Sequence, residues 1–210
     1  MQIEILYEDA ALVVCRKPGG VSSEEEGLPA LLRAQRGYEE LYVVHRLDLA
    51  AAGVMVYART KAAAAALSRQ IGDGRFQKQY LAVVQGRSED AAVLRDLLFR
   101  DTAKNKSYVV KRPRRGVREA ELSYETLART AELSLVRIRL KTGRTHQIRV
   151  QFASRGLPLA GDKKYGSSLR DCPLALWSEA LRFFHPLTGE ELRFSAPPPD
   201  AAPWTSFAER

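Results

Sequence analysis

The segment His45-Arg46-Leu47-Asp48 places an imidazole, a guanidinium and a carboxylate between two apolar stretches of the chain. A buried carboxylate must be ion-paired, because its desolvation is otherwise costly. Arg46 or another arginine would have to neutralise Asp48. The spacing alone leaves two interpretations open: a structural ion pair at the end of a strand, or a site at which the carboxylate reacts.

A second polar segment, Lys141 to Arg149, runs from an apolar strand into a glycine turn. It holds Arg144, His146 and Arg149 together with a threonine and a glutamine. These donors suit phosphates, sugar hydroxyls or base edges. Helix or turn capping would use one or two of them, and hardly all.

A third segment, Lys78-Gln79-Tyr80, adds an aromatic ring beside a cation. Tyr80 is either a platform on which a base stacks or a core tyrosine whose hydroxyl reaches the surface. The segment by itself does not decide between them.

The chain is basic, with 33 Lys and Arg against 25 Asp and Glu and a net charge of +8. Much of the excess lies in what we call the basic segment, Lys104–Arg118, which contains no acidic residue. We predict that it forms a hairpin arm with a turn at Pro113–Gly116 and contacts the phosphates of a polyanion. A solvated charged loop is the alternative.

Composition excludes several classes of protein. A chain of 210 residues with 45% hydrophobic and 28% charged residues is expected to fold as one domain. The longest stretch without a charged residue that we find, Leu49–Ala58, is far shorter than the roughly 20 apolar residues that span a bilayer. The N-terminus lacks signal-peptide features. Two cysteines favour a reducing cytoplasm. No phosphate-binding loop or metal-ligand motif is present, so we expect neither nucleotide hydrolysis nor a metal site.

The apolar pattern predicts many strands and few helices. Strands are expected at 3–17, broken at Glu8-Asp9, and at 42–44, 53–58, 76–85, 122–126 and 133–141; helices are expected at 28–36, 61–71 and 148–155. This order predicts an α+β fold with a mixed, mainly antiparallel central sheet and flanking helices and loops, in a single domain covering 1–210 with a core at about 3–198.

These segments resemble the RluA-type family of RNA pseudouridine synthases. His45-Arg46-Leu47-Asp48 followed by Gly53 is similar to the family motif His-Arg-Leu-Asp-x-x-Thr-Ser-Gly, whose aspartate is catalytic. Further matches, in the family's order, are Tyr7–Asp9, Arg16–Gly20, Lys78–Ala82, Gly143–Arg149, Pro158–Asp162, Tyr165-Gly166 and His185–Gly189. The departure closest to the chemistry is Ala51-Ala52, which replaces the motif's Thr-Ser pair and could remove hydrogen bonds that support the loop.

The resemblance implies a catalytic domain without the N-terminal RNA-binding domain of many relatives. It also implies isomerisation of uridine to pseudouridine in structured ribosomal or transfer RNA, by a cytoplasmic monomer that needs no cofactor or metal. Asp48, Tyr80 and Arg149 would be catalytic, with Arg149, or Arg144 as second choice, paired to Asp48. Arg46 would guide the flipping of the uridine. The substrate-binding residues would be His45, Arg46, Arg144, His146, Lys78, Lys111, Arg112, Arg114 and Arg115.

Other functions remain open from the sequence. The main alternative is an RNA-binding protein or RNA chaperone on the same scaffold, with weak or no catalysis because of Ala51-Ala52. A glycoside hydrolase would need a second carboxylate about 5–10 Å from Asp48, and Asp162 could approach it only through the fold. Asp48 could act as a nucleophile at C1′, as an adduct former at the base, or as a base on the ribose.

Overall fold

The structure is a computed structural model that describes residues 1–207. The chain forms two compact units, the first comprising residues 1–79 and 177–197 and the second residues 80–176 and 198 onward. The elements are β1 (Ile5–Glu8), β2 (Leu12–Lys17), α1 (Leu28–Arg36), β3 (Tyr42–Val43), β4 (Ala52–Ala58), α2 (Lys61–Gly72), β5 (Gln77–Gln85), β6 (Ala91–Asp101), β7 (Lys106–Val110), β8 (Val117–Arg129), β9 (Leu133–Leu140), α3 (Gln147–Ala153), β10 (Leu176–Phe184), β11 (Glu191–Ser195) and a 3-10 turn (Trp204–Phe207).

The first unit is built on a mixed sheet. Strand β2 pairs antiparallel with both β1 and β4, β3 is antiparallel to β4, β10 is parallel to β4, and β11 is antiparallel to β10. Strands β2 and β4 are buried along almost their whole length, which explains their continuous apolar sequences. Helix α2 begins at Thr60, whose side chain accepts a hydrogen bond from the amide of Ala63 at 3.1 Å.

The second unit contains a long antiparallel sheet. Strand β6 pairs with β7 on one side and β8 on the other, and β8 also pairs with β9. Helix α3 packs against this sheet: Val150 joins Leu98 and Ala120 in a buried cluster, and the rings of Phe152 and Tyr124 lie 5.0 Å apart. The sheet and helix place the residues that precede α3 at a fixed position in this unit.

The predicted hairpin within the basic segment is wrong. Its strand β7 pairs with β6 and not with β8, with Leu97 opposite Val110 and Phe99 opposite Tyr108. These half-buried cross-strand apolar pairs stabilise the pairing of β7 with β6. The connection that carries Pro113–Gly116 therefore passes from β7 to β8 across the end of β6.

The predicted α+β class and mixed sheet are confirmed, as are the predicted helices and most strands. Strands β6, β10 and β11 are not predicted by the sequence pattern. In β10 the polar pair Ser178-Glu179 interrupts the apolar run, but both side chains are satisfied: Ser178 Oγ donates to Val54 O at 2.9 Å, and Glu179 accepts from Gln79 Nε2 at 2.9 Å. Among residues 1–207, no helix is long and apolar enough to cross a membrane.

Candidate active site

Asp48 lies in the connection between β3 and β4, which we call the Asp48 loop (His45–Ala51). Backbone groups on both sides of the aspartate are held by hydrogen bonds. Ser23 Oγ donates to Leu47 O at 3.0 Å, and the amide of Ala51 donates to Asp48 O at 3.0 Å. The side chain of Leu47 is buried and that of Asp48 is half-buried. The loop thus presents a carboxylate from an anchored backbone.

Lys17, the last residue of β2, is completely buried and holds the same loop. Its Nζ donates to Ala51 O at 2.6 Å, to Pro18 O at 3.0 Å and to Leu49 O at 3.2 Å. Burial lowers the pKa of Lys17 to about 8, and the charge of Asp48 opposes that fall. Lys17 therefore cross-links the loop and brings a positive charge near the carboxylate, a role that its sequence context does not indicate.

Gly53 follows the loop at a position that only glycine fits. Its φ is +119°, and a Cβ atom there would lie 2.3 Å from the carbonyl oxygen of Ser178. The missing side chain lets β4 approach β10 closely, which fixes the point at which the Asp48 loop enters the sheet.

The side chain of Arg46 is exposed and pairs with Glu24 at 2.5 Å. Exposed ion pairs contribute about 0–1 kcal/mol, so Arg46 can leave Glu24 at little cost. An ion pair that is released at little cost suits the expected role of Arg46 in guiding a nucleotide.

His45 is a core residue. Its Nε2 accepts a hydrogen bond from the amide of Val56 at 3.2 Å, and its ring lies 5.4 Å from that of Phe76. Burial lowers the pKa of His45 well below its usual value, and the nearby charge of Lys78 lowers it further. Burial also lowers the pKa of Lys78. His45 is therefore neutral at pH 7, and binding of a phosphate by its charge is not favoured.

In the second unit Arg149 forms a buried bidentate ion pair with Asp162. Arg149 Nε donates to Asp162 Oδ2 at 2.7 Å and Nη2 donates to Oδ1 at 2.8 Å, with side-chain exposures of 8% and 0%. Breaking such a pair by removing one partner costs about 3–5 kcal/mol. Asp162 thus orients Arg149; pairing of Arg149 with Asp48 stays a prediction.

Gln147, at the start of α3, organises the glycine turn. Its Oε1 accepts from the Thr142 hydroxyl at 2.8 Å and from the Arg144 amide at 3.0 Å, while Nε2 donates to Glu121 O at 3.1 Å. The side chain of Arg144 stays exposed and His146 is buried. Gln147 is therefore a structural residue, although its place in a polar segment indicates only a donor to ligands.

Comparison with known proteins identifies the family. The family model described as RNA pseudouridylate synthase matches residues 11–154. The chain is 37% identical over 208 residues to the dual-specificity RNA pseudouridine synthase RluA of Escherichia coli K12, covering 92% of each chain. It is 33% identical to the ribosomal large subunit pseudouridine synthase C of Pasteurella multocida, covering 94% of this chain and 65% of that one. The chain belongs to the RNA pseudouridylate synthase family.

A solved structure agrees with this assignment. The human RNA pseudouridylate synthase domain containing 4 superimposes with a TM-score of 0.78 at 26% identity, covering 94% of this chain and 89% of that one. The predicted family and fold are therefore confirmed, and the chain is an isomerase that acts on RNA.

The other predicted site residues of this pseudouridylate synthase, the catalytic candidate Tyr80 and the RNA-binding cations of the basic segment, differ in exposure. Tyr80 is a buried residue of the second unit, 5% exposed. The four cations in the connection after β7 are all exposed, and the Arg114 guanidinium lies 4.6 Å from the ring centroid of Phe99. These four are Lys111, Arg112, Arg114 and Arg115.

Proposed function

We propose that this chain converts specific uridines in structured ribosomal or transfer RNA to pseudouridine, and that Asp48 reacts with the target. The observation that carries the proposal is the anchoring of Asp48: a half-buried carboxylate on a loop whose backbone is cross-linked by the buried ammonium of Lys17. A purely RNA-binding protein gains nothing from a carboxylate held this way near phosphates.

The reaction is an isomerisation. The N1–C1′ bond of the uridine breaks, the detached uracil turns, a C5–C1′ bond forms, and the proton on C5 is replaced by one on N1. Atoms and electrons balance without an oxidant, a metal or a cofactor. The proposed roles of Asp48 are attack on C1′, attack on the base, or removal of a ribose proton. Tyr80 is proposed to stack on the uracil and to assist the loss of the C5 proton.

The target nucleotide has to leave the RNA stack before a carboxylate can reach it, at a cost of roughly a few kcal/mol. Arg46 is proposed to guide this flip, since its surface pair with Glu24 is easily released. The basic segment is proposed to bind the flanking phosphates, with Lys78, Arg144 and His146 as further contacts. We propose a monomer in the cytoplasm, where Cys15 and Cys172, both free, stay reduced.

Release of tritium from RNA transcribed with 5-tritiated uridine tests the proposal, because each C5–C1′ bond formed expels the label. We expect Asp48→Asn to abolish release while RNA affinity stays within about twofold, since the amide neither attacks nor accepts a proton. Asp200→Asn, an exposed aspartate near the C-terminus, is the matched control.

Wild-type release by the Asp48→Asn variant would refute the role of Asp48. Tight, salt-sensitive RNA binding without release from any ribosomal or transfer RNA would favour the second candidate, an RNA-binding protein on this scaffold.

A further inference from the structure

Tyr165 joins parts of the second unit that are far apart in sequence. Its hydroxyl accepts a hydrogen bond from the amide of Ser107 at 2.8 Å and lies 2.9 Å from Nδ1 of His146. Ser107 belongs to β7, within the basic segment, and His146 immediately precedes α3. One hydroxyl therefore ties the basic segment to the start of the helix that carries Arg149.

The ring of Tyr165 contacts charge as well. The Arg149 guanidinium carbon lies 5.0 Å from the ring centroid, and Lys106 Nζ lies 5.1 Å from it. The Tyr165 amide also donates to Asp162 Oδ1, the oxygen that accepts from Arg149 Nη2. Cations at these distances are attracted to an aromatic ring. The position of Tyr165 is thus tied to the orientation of Arg149.

A second link between the same segments does not pass through Tyr165. Ser107 Oγ donates to Thr145 O at 2.6 Å, directly before His146. His146 itself has a positive φ of 54°, a conformation that needs support in a residue other than glycine. Its ring meets that of Tyr165 edge to face, 5.6 Å away. The hydroxyl and ring of Tyr165, together with the side chain of Ser107, therefore hold β7 in a fixed position relative to the start of α3.

We propose that Tyr165 is a positioning residue that sets the register between the RNA phosphates held by the basic segment and the nucleotide that reacts beside Arg149. This rests on the proposed function. RNA gripped at a fixed distance from Arg149 delivers one uridine to the site; if β7 shifts, the RNA still binds but the wrong nucleotide is presented. Displacements of about 1 Å are enough to lower rates by about 10²-fold.

The test is Tyr165→Phe, which removes the hydroxyl and keeps the ring beside Arg149 and Lys106. With RNA that the wild type modifies, we expect kcat to fall by about tenfold or more and RNA affinity to change by less than about threefold. Mapping of the modified positions should show pseudouridine at uridines next to the wild-type target. Tyr42→Phe is the control, since this tyrosine lies on β3, outside the basic segment, and its hydroxyl donates to the exposed Glu40.

A loss of positional accuracy separates positioning from mere destabilisation, which lowers activity without moving the modified site. Unchanged kcat and an unchanged site in folded Tyr165→Phe would overturn the proposal. If that variant does not fold by circular dichroism, His146→Asn removes the ring nitrogen that contacts the Tyr165 hydroxyl, and asparagine tolerates the positive φ at this position. The same shift in the modified site then supports the proposal, and wild-type behaviour overturns it. Absence of tritium release by the wild type would instead refute the proposed function.

Discussion

Replacing Lys17 with methionine removes the cross-link of the Asp48 loop without changing the length of the side chain much. Leu49 O keeps a hydrogen bond from the amide of Gly20 at 2.8 Å, so the substitution mainly strips Pro18 O and Ala51 O of a donor. A buried acceptor left unpaired costs about 1–3 kcal/mol. Part of this loss is offset, because the lowered pKa of Lys17 shows that burying its ammonium is itself unfavourable.

We therefore expect Lys17→Met to lower the free energy of unfolding by about 2–3 kcal/mol, and the midpoint of thermal unfolding by about 4–12 °C for a chain of this size. Urea unfolding and calorimetry measure both. The matched control is Lys61→Met at the exposed start of α2, where a change within about 0.5 kcal/mol is expected.

The pH dependence provides a second readout of the same side chain. Lys17 has a pKa of about 8 in the folded chain and 10.5 as the ordinary value. Between these pH values the unfolded chain binds more protons at this residue, so the stability of the wild type relative to Lys17→Met should rise from pH 8 to pH 10. The Lys17→Met variant should also release tritium more slowly by about tenfold or more, measured below its unfolding temperature. The reason is that a loop without its cross-link no longer holds the Asp48 carboxylate in place. Wild-type stability and release in Lys17→Met would refute the argument.

Two further predictions concern RNA affinity and the departure from the family motif. Neutralising the four exposed cations of the basic segment should weaken RNA binding. The slope of log affinity against log salt concentration should flatten by about 0.7–0.9 for each phosphate that is no longer neutralised. Filter binding at several salt concentrations measures this slope, and unchanged affinity would show that the segment is a solvated loop. The four are Lys111, Arg112, Arg114 and Arg115. Ala52→Ser should change tritium release by less than about threefold, because the loop is held through backbone atoms and Lys17; a larger rise would show that the absent hydroxyl limits activity.

The sequence predicts those strands and helices whose apolar pattern or capping residue lies within the element itself. Strands β2 and β4 are buried on both faces and have unbroken apolar sequences, and α2 combines a Thr60 cap with alanines. Strand β10 is not predicted because the partners of Ser178 and Glu179 come from distant parts of the chain. The pairing of β7 with β6 is not predicted for a related reason: a proline-glycine turn in the basic segment suggests the neighbour in sequence, while cross-strand apolar contacts select another strand.

The same distinction applies to the candidate site. Asp48 and Arg149 are recognisable from the residues beside them, whereas Lys17 acts on carbonyls of residues 49 and 51, and Asp162 reaches Arg149 only through the fold. From the sequence a lysine at the end of a strand, such as Lys17, is expected to be exposed. Its burial is explained only by the carbonyl oxygens that the fold brings to it.

The loop also shows why a motif can vary without losing its shape. Ala51-Ala52 removes two hydroxyls from the family pattern, which from the sequence predicts a weakened loop. In the structure Lys17 binds the carbonyl oxygen of Ala51, and the Ala51 amide binds Asp48 O. In both bonds the loop contributes main-chain atoms, a carbonyl oxygen or an amide. Every residue type has a main-chain carbonyl, and every residue type except proline has a main-chain amide hydrogen. The position of Asp48 therefore depends on the residues that contact the loop backbone, Lys17 above all, more than on the side chains at 51 and 52.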